Sequence, residues 1–203
     1  MRISKENKEK TRKNIFNTAK KLFIQKGYEN TTTRDIAYSA GIASGTLFNY
    51  FSNKEELAMA MIQEAISDGR KDYLAHRSEK QDFAEELFLL ISSELRKLRT
   101  YRKFIGPVFE SAMSLFSKQE NNHTGKKIRE EHLKIVQEII NKHKYKHNNI
   151  PEFIISNLYL SLYLSILAFW SKDNSYNQEE TLALLDYSVN ILVQTIKGTG
   201  GQS

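Results

Sequence analysis

Cysteine is absent from the 203 residues, which removes disulfide frameworks, thiolate zinc sites, iron–sulfur ligation and cysteine nucleophiles together. Nine glycines and two prolines are about half of what average composition supplies, so turns are few and elements long. Valine occurs only at positions 108, 136, 189 and 193, while Leu, Ile, Lys, Glu and Ala abound, which disfavours β-sheet architectures. The first thirteen residues carry Arg2, Lys5, Lys8, Lys10, Arg12 and Lys13 and lack the apolar segment of a secretory signal, so a cytoplasmic location is expected. One long uncharged run exists, Phe153 to Trp170, and its Ser156, Asn157, Ser161, Ser165 and two tyrosines read as a buried helix rather than a membrane span. No Gly-rich phosphate loop, G-x-S-x-G elbow or H-E-x-x-H is present, so no catalysis is expected.

What is there is helical. The expectation is an all-α chain of about nine helices, long enough for one large unit or two small ones sharing a core. The formal charge of +6 is lopsided: through Leu57 there are eleven Lys/Arg against six Asp/Glu, so nearly all the excess lies in the first quarter. A basic N-terminal module on a nearly neutral body favours an anionic partner.

Within that module Ile15, Phe16, Ala19, Leu22 and Phe23 follow helical spacing, and Gly27 stands where a helix ends. Thr31-Thr32-Thr33-Arg34-Asp35 supplies a cap and an acid for a short second helix with Ile36, Ala37 and Ala40 inward. Gly41 breaks it and Ile42 restarts apolar patterning to Phe51, giving two short helices around a glycine turn. Ser52-Asn53-Lys54-Glu55 reads as a capping box opening a longer helix through Leu57, Met61 and Ala65. Further stripes run over 83–98, over 105–116 with Pro107 in the first turn, from Ile128 to Ile139, over 151–171 behind Pro151, and over 182–196. Residues 117–125 read as a polar loop.

Residues 11–65 resemble the tetracycline-repressor (TetR) family of bacterial transcriptional regulators. The likeness rests on Thr11-Arg12, Ile15, Ala19, Phe23, Gly27-Tyr28, Thr32 to Ala37, Ala40-Gly41-Ile42, Gly45-Thr46-Leu47, Tyr50-Phe51 and Lys54 to Leu57. It implies a DNA-binding domain over 1–54 and an effector-binding and dimerisation domain over 55–203. A recognition helix must present small or polar side chains to base edges while its other side packs inward, and Ile42, Leu47 and Phe51 form such an inward set. By resemblance Ser44, Phe48 and Asn49 are expected at bases, with Arg34 reaching a guanine, Gly45 on the same exposed surface, and Thr33, Thr46, Tyr50 and Lys54 on phosphates. The family usually has serine where Ala43 stands and tyrosine where Phe48 stands; without that hydroxyl Phe48 loses a phosphate hydrogen bond but keeps apolar contact with a thymine methyl, which leaves operator preference open.

The resemblance also implies a homodimer through helices near 151–171 and 178–197, bound to double-stranded operator DNA, with recognition helices about one DNA turn apart. The ring-rich body suggests a small apolar or aromatic effector, with Phe88, Phe109, Met113, Phe116, Tyr159, Tyr163 and Trp170 as candidates to touch it and Glu110 as a candidate to face a cation. His143 and His147 have i, i+4 spacing but lie among Lys142, Lys144 and Lys146, so neither metal nor cofactor is expected. A ligand-released repressor is the reading carried forward. A constitutive DNA binder with a scaffold body, and a helical enzyme or carrier reusing the fold, stand beside it as alternatives.

Overall fold

A computed structural model describes residues 5–113, 123–143 and 150–197, and for residues 107, 109–113, 123 and 124 the backbone alone. Among the described residues there are nine α-helices, two 3-10 turns and no strand: α1 (Lys5–Lys26), α2 (Thr33–Ser39), α3 (Ser44–Phe48), α4 (Lys54–His76), α5 (Phe83–Leu98), α6 (Arg102–Met113), α7 (His123–Lys142), α8 (Glu152–Lys172) and α9 (Glu179–Lys197). The candidates Phe109, Met113 and Glu110 fall where only backbone is described, and Phe116 and His147 lie outside the described residues.

Local chemistry accounts for most boundaries. Gly27 takes φ +87° and its N–H returns to the Phe23 carbonyl at 3.1 Å, ending α1 in the left-handed region that glycine alone enters freely. Asn53 caps α4, accepting from the Glu56 N–H at 2.7 Å, while the Ser52 N–H donates to the Glu56 carboxylate at 2.6 Å. The capping box read over Ser52 to Glu55 does not form: Asn53, in the extended conformation, is the cap, and the Glu56 carboxylate returns to Ser52 rather than to the cap's own N–H. Asp82 and Glu85 form a complete capping box on α5.

α6 departs from expectation. It begins at Arg102, directly after the 3-10 turn of residues 99–101, so Pro107 is its sixth residue and not part of the first turn. Tertiary packing extends the helix backwards: Tyr101, Phe104 and Ile105 are buried, and the Phe104 ring lies 5.6 Å from both Phe23 and Tyr28. That aromatic cluster joins the N-terminal unit to the body, and rings meeting edge to face or offset add about 0.5–1.5 kcal/mol per pair to their burial.

α4 leaves the N-terminal unit and runs into the body, packing most extensively on α5. Their crossing is tight at Gly69, where an added Cβ would lie 2.6 Å from the Glu94 Cα. α8 and α9 pack together, and α5 also packs on α9. Among the described residues α8 alone is long and apolar enough to cross a membrane. It buries Ile155, Tyr159, Leu160, Tyr163, Ile166, Leu167 and Trp170 against the other helices and leaves Phe153, Leu158 and Phe169 exposed.

Candidate nucleic-acid interface and the buried centre of the body

The N-terminal unit is organised around its turns. Thr32 accepts the Asp35 N–H at 3.1 Å, and the Asp35 carboxylate accepts the Thr32 N–H at 2.9 Å, so each end of the box satisfies a helix-start amide. Those Thr32 donors hold the Asp35 carboxyl below its ordinary pKa. Gly41 turns the chain with φ +70°, and the Ile42 N–H reaches the Ala37 carbonyl at 3.0 Å. Asn14 of α1 donates to the Ala40 carbonyl at 2.9 Å, clamping that turn from the side.

α3 is anchored by Leu47, which is wholly buried, with Phe51 buried just beyond it. Ala43 at its start has no side chain able to cap, so its first turn has no side-chain cap of its own. Ser44, Gly45, Phe48 and Asn49 are exposed, and Thr46 and Tyr50 are half-buried; on α2, Arg34 is exposed and Thr33 half-buried. Phe48 leaves half of its surface open to solvent, an apolar ring on the outer side of α3. Lys54 is held inside the unit: its Nζ donates to the Tyr28 carbonyl at 2.9 Å and sits 4.1 Å from the centre of the Tyr28 ring. Burial pushes the Tyr28 hydroxyl pKa up, with the neighbouring Glu55 carboxylate adding to the rise, so the ring stays neutral beneath the ammonium.

Tyr38, 88% exposed, was not among the expected contacts. It lies one turn after Arg34, away from the face that buries Ile36 and Ala37. Spacing from Arg34 was the signal that could have found it.

The body carries two buried carboxylates on α5. Glu94 accepts from Tyr163 of α8 at 2.7 Å and from Arg70 Nε of α4 at 3.3 Å, and His132 Nδ1 of α7 lies 3.1 Å away. An ionised carboxylate only accepts, so Nδ1 carries the hydrogen, and His132 Nε2 faces the Tyr159 hydroxyl at 2.8 Å. Burial alone raises the Glu94 pKa, but His132, Arg70 and Tyr163 outweigh it and the net shift is downward. Burial and the Glu94 charge both push the pKa values of Tyr159 and Tyr163 well up. Two turns earlier, Glu86 accepts from Tyr73 at 2.7 Å and Lys142 at 3.0 Å, with His143 Nε2 at 2.7 Å. Again burial raises its pKa and these partners bring it below the ordinary value.

Among the described side chains, the expected effector residues Tyr159 and Tyr163 lie apart from Trp170. Tyr159 and Tyr163 stack with ring centres 6.2 Å apart, and Tyr163 lies 4.2 Å from the His132 ring, inside the polar cluster. From Tyr159, Trp170 is about 16 Å further along α8. It is buried, donates to Gln178 at 3.2 Å and lies under Arg102, whose Nε donates to the Trp170 carbonyl at 2.8 Å, a structural role at the α8 end. Phe88 is half-buried on α5. His143, one of the two histidines weighed for metal, is bonded to Glu86, and the described residues hold no group of three or more His, Asp or Glu placed for a metal ion.

Comparison with known proteins agrees over both parts of the chain. The family described as bacterial regulatory proteins, tetR family, matches residues 15–61, and the family described as tetracyclin repressor-like, C-terminal domain, matches residues 86–201. The HTH-type transcriptional regulator YfiR of Bacillus subtilis, itself uncharacterised, is 28% identical over 120 residues, 59% of this chain and 58% of that protein. The HTH-type transcriptional regulator TtgR of Pseudomonas putida is 34% identical over 87 residues, 43% of this chain and 40% of that protein. The matched region thus spans about half the length of these relatives. The fold is shared with FadR of Thermus thermophilus, a TetR-family repressor crystallised with lauroyl-CoA, at TM-score 0.73, 17% identity and coverage of 95% of this chain and 98% of that one. It is shared also with FadR of Bacillus subtilis in complex with stearoyl-CoA, at TM-score 0.61, 22% identity and coverage of 91% and 98%.

Proposed function

The chain belongs to the tetR family of bacterial regulatory proteins, helix-turn-helix transcriptional regulators, and on that premise we propose that it is a homodimeric repressor released from a palindromic operator when a small apolar or aromatic effector enters its body. Residues 1–54 are the DNA-binding domain and residues 55–203 the effector and dimerisation domain. The observation that carries the reading is α3 itself: buried by Leu47, uncapped at its start, and open along Ser44, Gly45, Phe48 and Asn49. A short helix with a locked inner face and small polar or aromatic outer residues is what a major groove admits.

In this reading Ser44, Phe48 and Asn49 meet base edges, Phe48 against a thymine methyl, and Arg34 meets a guanine. Thr33, Thr46 and Tyr50 grip phosphates. Lys54 keeps its bond to the Tyr28 carbonyl and turns its remaining donors to a phosphate. Dimerisation runs through α8 and α9, whose Phe153, Leu158, Phe169, Leu182, Tyr187 and Ile191 stand exposed, an apolar area that a second copy would cover. The effector is placed among α5 to α8, where Phe88, Tyr159 and Tyr163 lie, and the two acyl-CoA-bound neighbours of like fold put long acyl thioesters first in a trial panel.

Footprinting on the DNA upstream of the chain's own coding region tests the reading. A protected palindrome is expected, with Arg34→Ala relaxing base preference and Lys54→Ala lowering the salt slope by about one. Absence of any protected palindrome overturns it. Thermal shifts with acyl-CoA and aromatic compounds test the effector half, since a ligand that prefers the folded state raises its melting temperature.

A further inference from the structure

α4 is one unbroken helix from the DNA-reading unit to the centre of the body, so its angle is a mechanical variable. At its lower end the Lys54 ammonium is fixed to Tyr28. In the body, Gly69 brings the α4 backbone against the Glu94 backbone, a contact close enough to serve as a pivot. The next residue, Arg70, is only 12% exposed and makes a three-way fork. Its Nε donates to Glu94 of α5 at 3.3 Å, its Nη1 to Glu131 of α7 at 3.2 Å, and its Nη2 to the Ile128 carbonyl of α7 at 3.3 Å. A planar guanidinium holds three acceptors at fixed angles, which an ammonium cannot do. Glu94 in turn is held by Tyr163 of α8, so a continuous polar chain runs from α8 to α4.

Leverage gives this fork its consequence. Arg70 and Lys54 are about 24 Å apart along the helix, so a rotation of about 5° at the pivot moves the Lys54 end by about 2 Å. Two protomers rotating in opposite senses change the separation of their reading helices by about 4 Å, close to one base-pair step of about 3.4 Å. Resting on the repressor reading above, we propose that Arg70 is a positioning residue for DNA binding: its fork to Glu94, Glu131 and the Ile128 carbonyl sets the angle of α4 and so the half-site spacing that the dimer accepts.

The test uses the full chain and palindromic duplexes selected from a random pool, each remade with its spacer one base pair shorter and one longer. Fluorescence anisotropy gives the ratio of Kd at altered spacing to Kd at the selected spacing. That ratio is independent of the fraction of protein that is folded, which a purely structural role of Arg70 would change. The parent should discriminate between spacers. Glu131→Ala, at a side chain 44% exposed, should shrink the discrimination by about threefold, and Arg70→Lys, a charge without the fork, by at least as much. Glu131→Gln, which keeps an acceptor for Nη1, should restore the parent ratio, and Lys126→Ala, at an exposed ion pair on the same helix, should leave it unmoved. If Glu131→Ala and Arg70→Lys both keep the parent ratio while binding the selected duplex, the fork does not position α4 and the proposal is overturned. Should Arg70→Lys fail to fold, Glu131→Ala decides alone. A parent that selects no palindrome overturns the repressor reading and this inference with it, whereas an unmoved ratio sinks only the inference.

Discussion

Gly69→Ala probes the tightest point of the molecule. A methyl group added there would stand 2.6 Å from the Glu94 Cα and 2.9 Å from the Glu94 nitrogen, against about 3.5–4.0 Å for comfortable contact, so α5 must retreat by about 1 Å. Forced overpacking of this kind costs about 1–3 kcal/mol. Retreat also lengthens the bonds that Glu94 accepts from Tyr163, Arg70 and His132, and hydrogen bonds to a charged group are worth about 1.5–3 kcal/mol each. Against this, alanine in a helix interior is favoured over glycine by about 1 kcal/mol. The balance is a loss of about 2 kcal/mol, which in a chain of this size lowers Tm by about 4–8 °C. Thermal melts followed by circular dichroism, at equal protomer concentration, read it. Gly45→Ala is the contrast, because its added carbon meets no atom within 4 Å inside α3, and its stability should equal the parent's or exceed it by up to about 1 kcal/mol. A Gly69→Ala protein that melts at or above the parent would refute the steric argument.

Other outcomes follow from the same contacts. Glu94→Gln leaves the Arg70 guanidinium without its buried counter-charge and should cost about 3 kcal/mol at neutral pH, measured by urea unfolding. Glu86 and Glu94 have pKa values lowered in the folded state, so they add stability above the unfolded carboxylate range and lose it as pH falls through their folded values. The parent's Tm should therefore fall steeply below about pH 4.5, and Glu94→Gln should flatten that limb; an identical limb in both proteins counts against the assignment. Thr32→Ala removes the α2 cap and should cost about 1 kcal/mol by denaturant titration. Ile191→Asp, at a side chain 55% exposed on α9, should shift sedimentation toward monomer and weaken binding to a full palindrome more than to a half-site.

Short-range information carried most of the N-terminal unit. Gly27 and Gly41 lie where the chain needs a left-handed residue, Thr32 lies three residues before Asp35, and Leu47 and Phe51 are the inward members of a 3.6-residue period. Each of these signals spans only a few residues, so one pass along the chain exposes it. α6 shows where such reasoning fails. Pro107 suggested a helix start, but the start lies at Arg102, where Phe104 is buried against Phe23 and Tyr28, partners far away in sequence.

By itself, then, the order of residues determined an all-helical chain, the capped and glycine-turned reading unit, and the uncharged helix that needs cover on both sides. Tertiary structure alone decided what the body's polar groups do. Glu94 meets Arg70 across 24 residues, His132 across 38 and Tyr163 across 69, and no periodicity links such positions. On a helical wheel Tyr163 is one more aromatic and Glu94 one more acid. Only the packing of four helices around one carboxylate removes water from the site, and that removal turns ordinary side chains into a coupled, charged centre.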